Sequence, residues 1–510
     1  MTGRYASRSR RAAEMAVHRS RDKNPPLAHL TLNGNAWVVQ GTRTVAHAFQ
    51  EAGWRTGMTG KWHLSSTVET ETTGFTYQEA QTSAGHMAKE VAEVGAAGFD
   101  DVFALYPINM KDSGFSWFSH NPEFMAVEAM DWWDRHKPGP VGTKGRFLYF
   151  AFTLPHMPKS GTEISKVSAG RFPDPHGRQP SAEAQKRMNA MRERSRRHVS
   201  DGRAVGTHNA MGNKNWAASN DKVHNVPGVL WIDSIIGEWR DFLARNNELD
   251  DTLIVFSADH GNIAKGHCFE PSMRVPLLMH WPRGIAGGGK GGGGGGRVVD
   301  AVTSNIDIAP TLLDAAGIDS AWLRHNGKRI VDGRSLLPLV APAHARFAPG
   351  TEPHPAGIFC EIYSDRSVVA PNYTLVDLSR THYDEAPYNR KPWGDTLQLY
   401  RSGDFEQRVN LVAKASRHED PVAAKALAEL TARLHGHVVD TIPKCQVRFW
   451  PEGFPTKLTN ALKGHRGLLG VERVEGVEAA AVEAAGEEGH SSFVQRERRQ
   501  FLAADRAVLP

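Results

Sequence analysis

Two patterns of apolar residues alternate along the first two thirds of the chain. Apolar side chains three or four residues apart predict helices in Thr44 to Gly53, in Ile232 to Leu243 and in Asp307 to Gly317. Short, continuously apolar runs lie between them, in WRTGMTGKWHL, FLYFAFTLPHMP, TLIVF and RVPLLMHWP. Such runs are typical of strands that are covered on both faces. The order of helix, strand and polar loop therefore predicts an α/β fold on a mainly parallel sheet.

Ionisable side chains follow the predicted strands where the strands end. Lys61 and His63 follow one run, His156 follows another, and Asp259 and His260 follow a third. Ligands of open α/β sheets bind outside the carboxyl ends of the strands, so these groups predict one shared site. Each signal alone is weak, because D-H-G occurs in many turns and an isolated histidine commonly just ends a strand. Together they suit hydrolysis of a charged ester at a metal site.

Composition excludes several classes of protein. The net charge of +5 over 510 residues is a weak bias that no helix or face collects, so nucleic-acid binding is not predicted. No apolar run approaches the roughly 18–20 residues of a membrane-spanning helix, so no membrane span is predicted. Cys268, Cys360 and Cys445 are far apart and odd in number, and no C-x-x-C occurs. The sequence thus supports neither a disulfide framework nor a zinc ribbon.

The chain divides by composition into three predicted parts. Residues 1–340 form the main domain, residues 341–463 a smaller C-terminal subdomain, and residues 464–510 an Ala/Glu-rich tail. The main domain contains a polar insertion, 159–225, and a glycine-rich loop, 287–296. The insertion is interpreted as either a cover over the site or a surface excursion, and its polarity favours the excursion.

Ordered motifs through most of the chain resemble the sulfatase family of the alkaline phosphatase superfamily. EAGWRTGMTGKWHL resembles the family's G-Y-x-T-x-x-x-G-K-W-H-L-G block, and GFDDVF and LPHMP resemble its G-F-D and P-H-x-P segments. LDDTLIVFSADHG with FEPSMRVP resembles the D-[HN]-G strand and the Y-E-G-x-x-R-V-P segment. IDIAPTLLDAAGI and LYRSGDFEQRVNL resemble later blocks. The resemblance implies an α/β sandwich of the alkaline phosphatase type, with a central, mainly parallel sheet and a smaller C-terminal α/β subdomain.

The resemblance also implies roles for six residues. In that family a formylglycine made from Cys or Ser in C/S-x-P-S-R attacks the sulfur of a sulfate ester, and calcium or a similar cation polarises the sulfate. Asp259 falls on a metal ligand and His260 on its neighbour. Lys61 falls on a sulfate-binding lysine, His63 on the histidine that helps expel sulfate, and His156 on the histidine near the leaving oxygen. Lys265 is the candidate for the second sulfate-binding lysine.

One family motif does not occur in the printed sequence. C/S-x-P-S-R precedes L-T-G-R-Y in the family, whereas this chain begins MTGRY and contains no such motif later. We therefore expect the chain as written to lack the formylglycine precursor, the first core strand and two metal ligands, and to be inactive. The intact relative would hydrolyse a small-molecule or carbohydrate sulfate ester. The alternatives are a phosphonate or phosphate ester hydrolase of the same superfamily and a non-catalytic binding protein.

The sequence constrains the cellular compartment and the oligomeric state less than it constrains the fold. The Arg/Ser-rich start permits a transit peptide, whereas the family and an Asn-Tyr-Thr acceptor at Asn372 fit a secretory route. The compartment and the oligomeric state therefore stay unassigned.

Overall fold

A computed structural model describes residues 38, 42–62, 64–65, 84–106, 121–139, 142–156, 180–206, 226–261, 267–285, 296–318, 324–325, 328–329, 331–341, 353–362, 365–378, 397–416 and 419–441. They fall into two compact units. The first holds the described residues of 35–257 and 276–353, and the second those of 258–275 and 354–510. The predicted tail, and the glycine-rich loop apart from Gly296, lie outside the described residues. The predicted domain boundaries stay predictions.

The helices and strands follow one another along the whole chain. The helices are α1 Val45–Glu51, α2 Ala84–Ala96, α3 Pro122–Arg135, α4 Ala182–Gly206, α5 Val226–Arg245, α6 Glu270–Met273, α7 Ile308–Ala315, α8 Leu337–Val340, α9 Val412–Ser416 and α10 Pro421–Thr441. The strands are β1 Arg55–Lys61, β2 Asp101–Tyr106, β3 Arg146–Ala151, β4 Ile254–Ser257, β5 Leu277–His280, β6 Arg324–His325, β7 Lys328–Arg329, β8 Ile358–Ile362, β9 Asp365–Val369, β10 Tyr373–Asp377 and β11 Leu397–Arg401. The three helices predicted from apolar spacing are present as α1, α5 and α7.

A parallel sheet of order β2-β1-β3 lies at the centre of the first unit. Helix α3 packs behind it, and Trp132 of α3 is buried and donates its indole N–H to Asp101 at the start of β2. Arg55 at the start of β1 binds the same carboxylate through two nitrogens, at 2.6 and 2.7 Å. These contacts fix the amino ends of β1 and β2 side by side. The predicted parallel sheet is confirmed.

The polar insertion contributes to the core of the first unit. Its described part, 180–206, contains the long helix α4, which packs against α3 and α5. Met188, Met191 and Val199 of α4 are buried, and Arg192 pairs with the buried Glu123 of α3 at 3.3 Å. The surface excursion favoured from composition is therefore wrong for this helix. The polar residues that dominate its sequence obscure a narrow apolar stripe at helical spacing.

Strands β3 and β4 are less covered than their apolar sequences predict. In β1 the five residues Thr56–Gly60 are buried, whereas every residue of β3 and β4 keeps some exposure, and Tyr149 is 37% exposed. Among the described residues, β3 pairs with β1 alone and β4 pairs with β5 alone, in antiparallel fashion. One edge of each strand thus has no described strand neighbour, which explains the incomplete burial.

The second unit is an antiparallel sheet of order β11-β10-β9-β8 with a different layer on each face. Helix α10 covers one face through Leu427, Leu430 and Leu434. The segment 267–273 covers the other face through Cys268 and Phe269. The two layers contact different residues of the sheet, because successive side chains of a strand point to opposite faces. This is the smaller C-terminal α/β layer that the resemblance implied.

None of the helices among the described residues combines the length and the apolar character needed to cross a membrane.

Candidate active site

Lys61 is the last residue of β1 and lies at the carboxyl edge of the parallel sheet. It pairs with Tyr106, the last residue of β2. The next residue, Trp62, donates its backbone N–H to the Tyr106 carbonyl at 2.9 Å. The Trp62 indole is 2% exposed and packs edge-on against Phe99, with ring centroids 5.9 Å apart. A buried aromatic anchor therefore follows Lys61 directly and fixes the backbone that carries it.

A break in the β1–β2 register sets the position of Lys61. Thr59 pairs with Phe103 but Gly60 pairs with Leu105, so Ala104 is left over as a bulge. In an unbroken register Lys61 would pair with Leu105 in place of Tyr106. Ala104 has φ of 44°, a left-handed conformation that is rare outside glycine. The bulge therefore aligns Lys61 with the last residue of β2, and bulges are common next to active sites.

Gly60 is required by this arrangement on two grounds. Its φ of 93° is strained for residues with a side chain. A Cβ atom at this position would also lie 1.9 Å from the Ala151 carbonyl oxygen on β3. The G-K-W sequence thus reflects close contact between β1 and β3 immediately before the lysine.

His156 follows β3 at the same edge. Gly60 pairs with Ala151, so the carboxyl ends of β1 and β3 are adjacent. The chain continues through a turn closed by the His156 backbone N–H, which donates to the Thr153 carbonyl at 3.2 Å. The structure therefore places Lys61 and His156 at the ends of neighbouring parallel strands. His63 and Lys265 lie outside the described residues.

Asp259 and His260 form a compact turn after β4. The His260 backbone N–H donates to Asp259 Oδ1 at 3.0 Å, and His260 Nε2 lies 3.5 Å from Asp259 Oδ2. His260 Nδ1 lies 2.7 Å from the Gly261 carbonyl oxygen. That carbonyl accepts hydrogen bonds only, so Nδ1 carries a proton. The neutral ring then has its lone pair on Nε2, beside the carboxylate.

Gly261 allows the turn to pack tightly. Its N–H donates to the Ser272 carbonyl at 2.6 Å, and an added Cβ would lie 2.1 Å from the Pro271 carbonyl oxygen. Lys61 and His156 belong to the first unit and Asp259 and His260 to the second. The convergence of all four on one site stays a prediction.

The described residues offer only part of a metal site. Asp259 and His260 supply a carboxylate and one imidazole nitrogen, and the Asp259 side chain is 74% exposed. Calcium takes about 6–8 oxygen ligands, so this pair does not hold it alone. Among the residues that the structure describes, no three His, Cys, Asp or Glu side chains are grouped to bind a metal ion. The donors present therefore do not fit a complete calcium site.

A buried carboxylate near the Lys61 edge was not predicted from the sequence. Glu90 of α2 is 4% exposed and lies close to Ser65, itself 1% exposed. Burial raises the pKa of the Glu90 carboxyl to about 7. The available signal was the position of Glu90 within an apolar stripe, next to Val91 and four residues before Val94. A carboxylate with a raised pKa beside a sheet edge is a feature common at functional sites.

Comparison with known proteins decides the family. A sequence model described as Sulfatase matches residues 24–318, more than half of the chain. The chain belongs to the sulfatase family. The motif resemblance is thereby confirmed, and the implied type of enzyme is a sulfuric ester hydrolase. Metal and formylglycine are general features of sulfatases.

Individual sulfatases match shorter stretches. A choline-sulfatase of Rhizobium meliloti (strain 1021) is 40% identical over 119 residues, which cover 22% of this chain and 20% of that protein. Arylsulfatase K of Danio rerio is 33% identical over 138 residues, covering 26% of this chain and 23% of that protein. The matched stretches thus span about a fifth to a quarter of the length of these curated relatives.

A solved structure shows the same fold. The candidate sulfatase yidJ of Bacteroides fragilis superposes with a TM-score of 0.50 at 16% sequence identity. The superposition covers 86% of this chain and 84% of that protein. The predicted α/β architecture of the alkaline phosphatase type is confirmed at the level of the fold.

Proposed function

We propose that the edge carrying Lys61 and His156 binds the sulfuryl group of a sulfate ester, and that the intact protein hydrolyses that ester. The observation that carries the proposal is the adjacency of the β1 and β3 carboxyl ends, with the bulge that aligns Lys61 with the last residue of β2. A lysine ammonium group held there stabilises negative charge that accumulates on sulfuryl oxygens. The proposed substrate is a small-molecule or carbohydrate sulfate ester.

Each of the six residues has a distinct proposed role. Lys61 and Lys265 hold the sulfuryl oxygens through their charge. His156 moves a proton to or from the leaving oxygen, and His63 does the same where sulfate is released. Asp259 and His260 are proposed ligands of calcium or a similar cation. Because the described donors do not complete a metal site, we derive no catalytic step through the metal.

A binding protein without turnover is the second candidate. It rests on the same observation, since a lysine at the carboxyl edge of the sheet can hold an anion whether or not the ester is then cleaved. The same edge would then hold sulfate esters without cleaving them. Both candidates require Lys61, so binding and turnover must be measured separately.

Calorimetric titration of the full chain with 4-nitrophenyl sulfate tests the binding step. Lys61→Ala should weaken binding by about tenfold or more, because a hydrogen bond to a charged group contributes about 1.5–3 kcal/mol. Lys144→Ala is the matched control. Lys144 is an exposed lysine at the opposite, amino edge of the same sheet, where its backbone bonds to Gly53. Equal affinities of the wild-type chain and Lys61→Ala would refute the proposed site.

Titration with 4-nitrophenyl phosphate in parallel addresses the phosphate ester alternative. Tighter binding of the phosphate ester than of the sulfate ester would favour that alternative.

Turnover is tested by joining a family segment that contains C-x-P-S-R ahead of Thr2 and co-expressing the formylglycine-generating enzyme. Hydrolysis of a sulfate ester should appear and should fall by about 10²–10⁴-fold in His156→Ala. Binding without any turnover of a panel of sulfate esters would favour the second candidate. Full turnover in a Lys61→Ala, His63→Ala double variant would refute the assigned roles.

A further inference from the structure

The segment 267–273 lies on one face of the β8–β9 pair and is held there by polar contacts along its length. His267 Nδ1 contacts Asp365 Oδ2 at 2.7 Å, and Met273 Sδ accepts a hydrogen bond from Ser367 Oγ at 3.2 Å. Asp365 and Ser367 are two residues apart on β9, so their side chains point to the same face. The segment therefore runs along β9 from its first residue to its third.

The strand register places Cys360 on that same face. Cys360 lies opposite Ser367, and Ile362 lies opposite Asp365, in the antiparallel pair. Directly opposed residues share a face of the sheet. The neighbouring Glu361 points to the other face, where it contacts His437 of α10 at 2.9 Å. Cys360 is thus directed toward the segment and away from the helix.

Cys268 lies in the segment and meets Cys360. Its side chain is 0% exposed, packs in the same cluster as Cys360, and donates its S–H to the Asp365 carbonyl at 3.4 Å. Cys360 is also one of the neighbouring groups that raise the pKa of the Cys268 thiol, as expected for two side chains packed close together. Both cysteines are reduced in the structure, and Cys360 keeps partial exposure. Their wide separation in the sequence hid this contact.

We propose that Cys268 and Cys360 are a modification site that a small-molecule disulfide such as oxidised glutathione converts to an intramolecular disulfide. The bond would cross-link the segment that continues from Asp259 and His260 to strand β8 of the same unit. The proposal is independent of sulfate ester hydrolysis, since it concerns the thiols and the packing of the second unit alone.

The chemistry proceeds by two exchanges. The Cys360 thiol loses its proton to solvent, its sulfur attacks one sulfur of oxidised glutathione, and one glutathione thiolate leaves. Cys268 then loses its proton and attacks Cys360 Sγ of the mixed disulfide, and the second glutathione leaves. Two protein thiols are oxidised to one disulfide, and one glutathione disulfide is reduced to two glutathione molecules.

Exposure determines the order of these exchanges. Cys360 is the partly exposed thiol, so it reacts first with a dissolved reagent. Burial, and secondarily the neighbouring Cys360 side chain, raise the pKa of the Cys268 thiol well above its usual range. The thiolate is the reactive form, so closure by Cys268 is the slower step and accelerates as the pH rises. The Asp365 carbonyl keeps a hydrogen bond from Arg366 at 2.7 Å after the Cys268 proton is lost.

Peptide mapping of the full chain tests the proposal. The protein is incubated with oxidised and reduced glutathione, blocked with iodoacetamide and digested without reduction. We expect a linked peptide pair joining Cys268 and Cys360, with a mass two hydrogens below the sum of the free peptides. The linked protein should melt roughly 5 °C higher than the same sample in dithiothreitol. Cys445→Ser, which leaves only the two proposed partners, should give the same result.

Matched variants separate this pair from other thiol chemistry. Cys360→Ser should lose both the linked peptide and the oxidant-dependent rise in melting temperature. The linked peptide in the wild-type chain is decisive even if that variant folds poorly. Glutathione found only as a stable adduct on Cys360, complete alkylation of both cysteines after oxidation, or a bond to Cys445 in place of this one would each overturn the proposal.

Discussion

Replacing Glu90 with glutamine should stabilise the first unit at pH 8 and change little at pH 5. The Glu90 carboxyl is almost fully buried, and burial raises its pKa from 4.5 to about 7. The folded state therefore holds the Glu90 proton more tightly than the unfolded state does. Stability from this group is fully present below pH 4.5 and is lost as the pH rises through 7.

The size of the stability change follows from the shift in the Glu90 pKa. Each pKa unit corresponds to about 1.4 kcal/mol, so a shift of about 2.5 units corresponds to about 3 kcal/mol at pH 8. The glutamine amide has nearly the shape of the carboxyl group, but it never ionises. Glu90→Gln should recover most of that free energy of unfolding above pH 7.

Urea unfolding followed by tryptophan fluorescence measures this directly, since Trp62 and Trp132 are buried in the first unit. The wild-type free energy of unfolding should fall between pH 5 and pH 8, and the curve for Glu90→Gln should be flatter. Glu183→Gln, at an exposed position on α4, is the control and should follow the wild type within about 0.5 kcal/mol. Parallel curves for the wild type and Glu90→Gln would show that Glu90 does not titrate in this range.

Three further outcomes are expected. Gly60→Ala should lower the free energy of unfolding in urea by more than about 2 kcal/mol, because the added Cβ would lie 1.9 Å from the Ala151 oxygen. The control Gly95→Ala, in open space on α2, should raise that free energy by up to about 1 kcal/mol. Equal effects of the two variants would contradict the close contact at Gly60. Burial raises the pKa of Asp377 to about 6, so ionisation of this carboxyl destabilises β10 as the pH rises through 6. Asparagine does not ionise, so Asp377→Asn should slow amide hydrogen exchange in β10 above pH 6 and leave it unchanged below pH 4. The reverse trend would refute this. Calorimetry should find no micromolar calcium site that depends on Asp259, because Asp259 and His260 supply too few of the roughly 6–8 ligands of calcium and no third His, Cys, Asp or Glu side chain joins them among the described residues. Loss of a micromolar site in Asp259→Asn would refute this.

Local sequence predicted the elements of the Lys61 edge well. Lys61 and His156 follow apolar runs, and a polar residue after a buried strand points to the carboxyl edge of a sheet whatever the rest of the fold. The mainly parallel character of the sheet also followed from the alternation of helical segments and apolar runs. These features depend on residues that are neighbours in the chain, which is why pattern alone found them.

Features that depend on distant residues were not predicted. The bulge opposite Gly60 arises from Ala104, and the contact of Cys268 with Cys360 depends on the register of β8 against β9. The burial of α4 depends on α3 and α5, which cover a stripe that a polar composition hides. In each case the tertiary environment, and not local propensity, decides where the side chain lies.

The bulge shows how the fold tolerates backbone strain beside the proposed site. A left-handed alanine costs roughly 1–2 kcal/mol relative to the ordinary backbone conformation, and Ala104 accepts this at a fully buried position. The pairing of β1 on both sides and the buried Trp62 anchor hold the irregular register in place. A regular register would remove the strain but would pair Lys61 with Leu105, so that the Trp62 N–H would no longer face the Tyr106 carbonyl that accepts its hydrogen bond. A buried backbone N–H without a partner costs free energy comparable to the strain in Ala104. We therefore interpret the irregular register as the arrangement that keeps this hydrogen bond next to Lys61, at the strand end where we propose that a sulfuryl group binds.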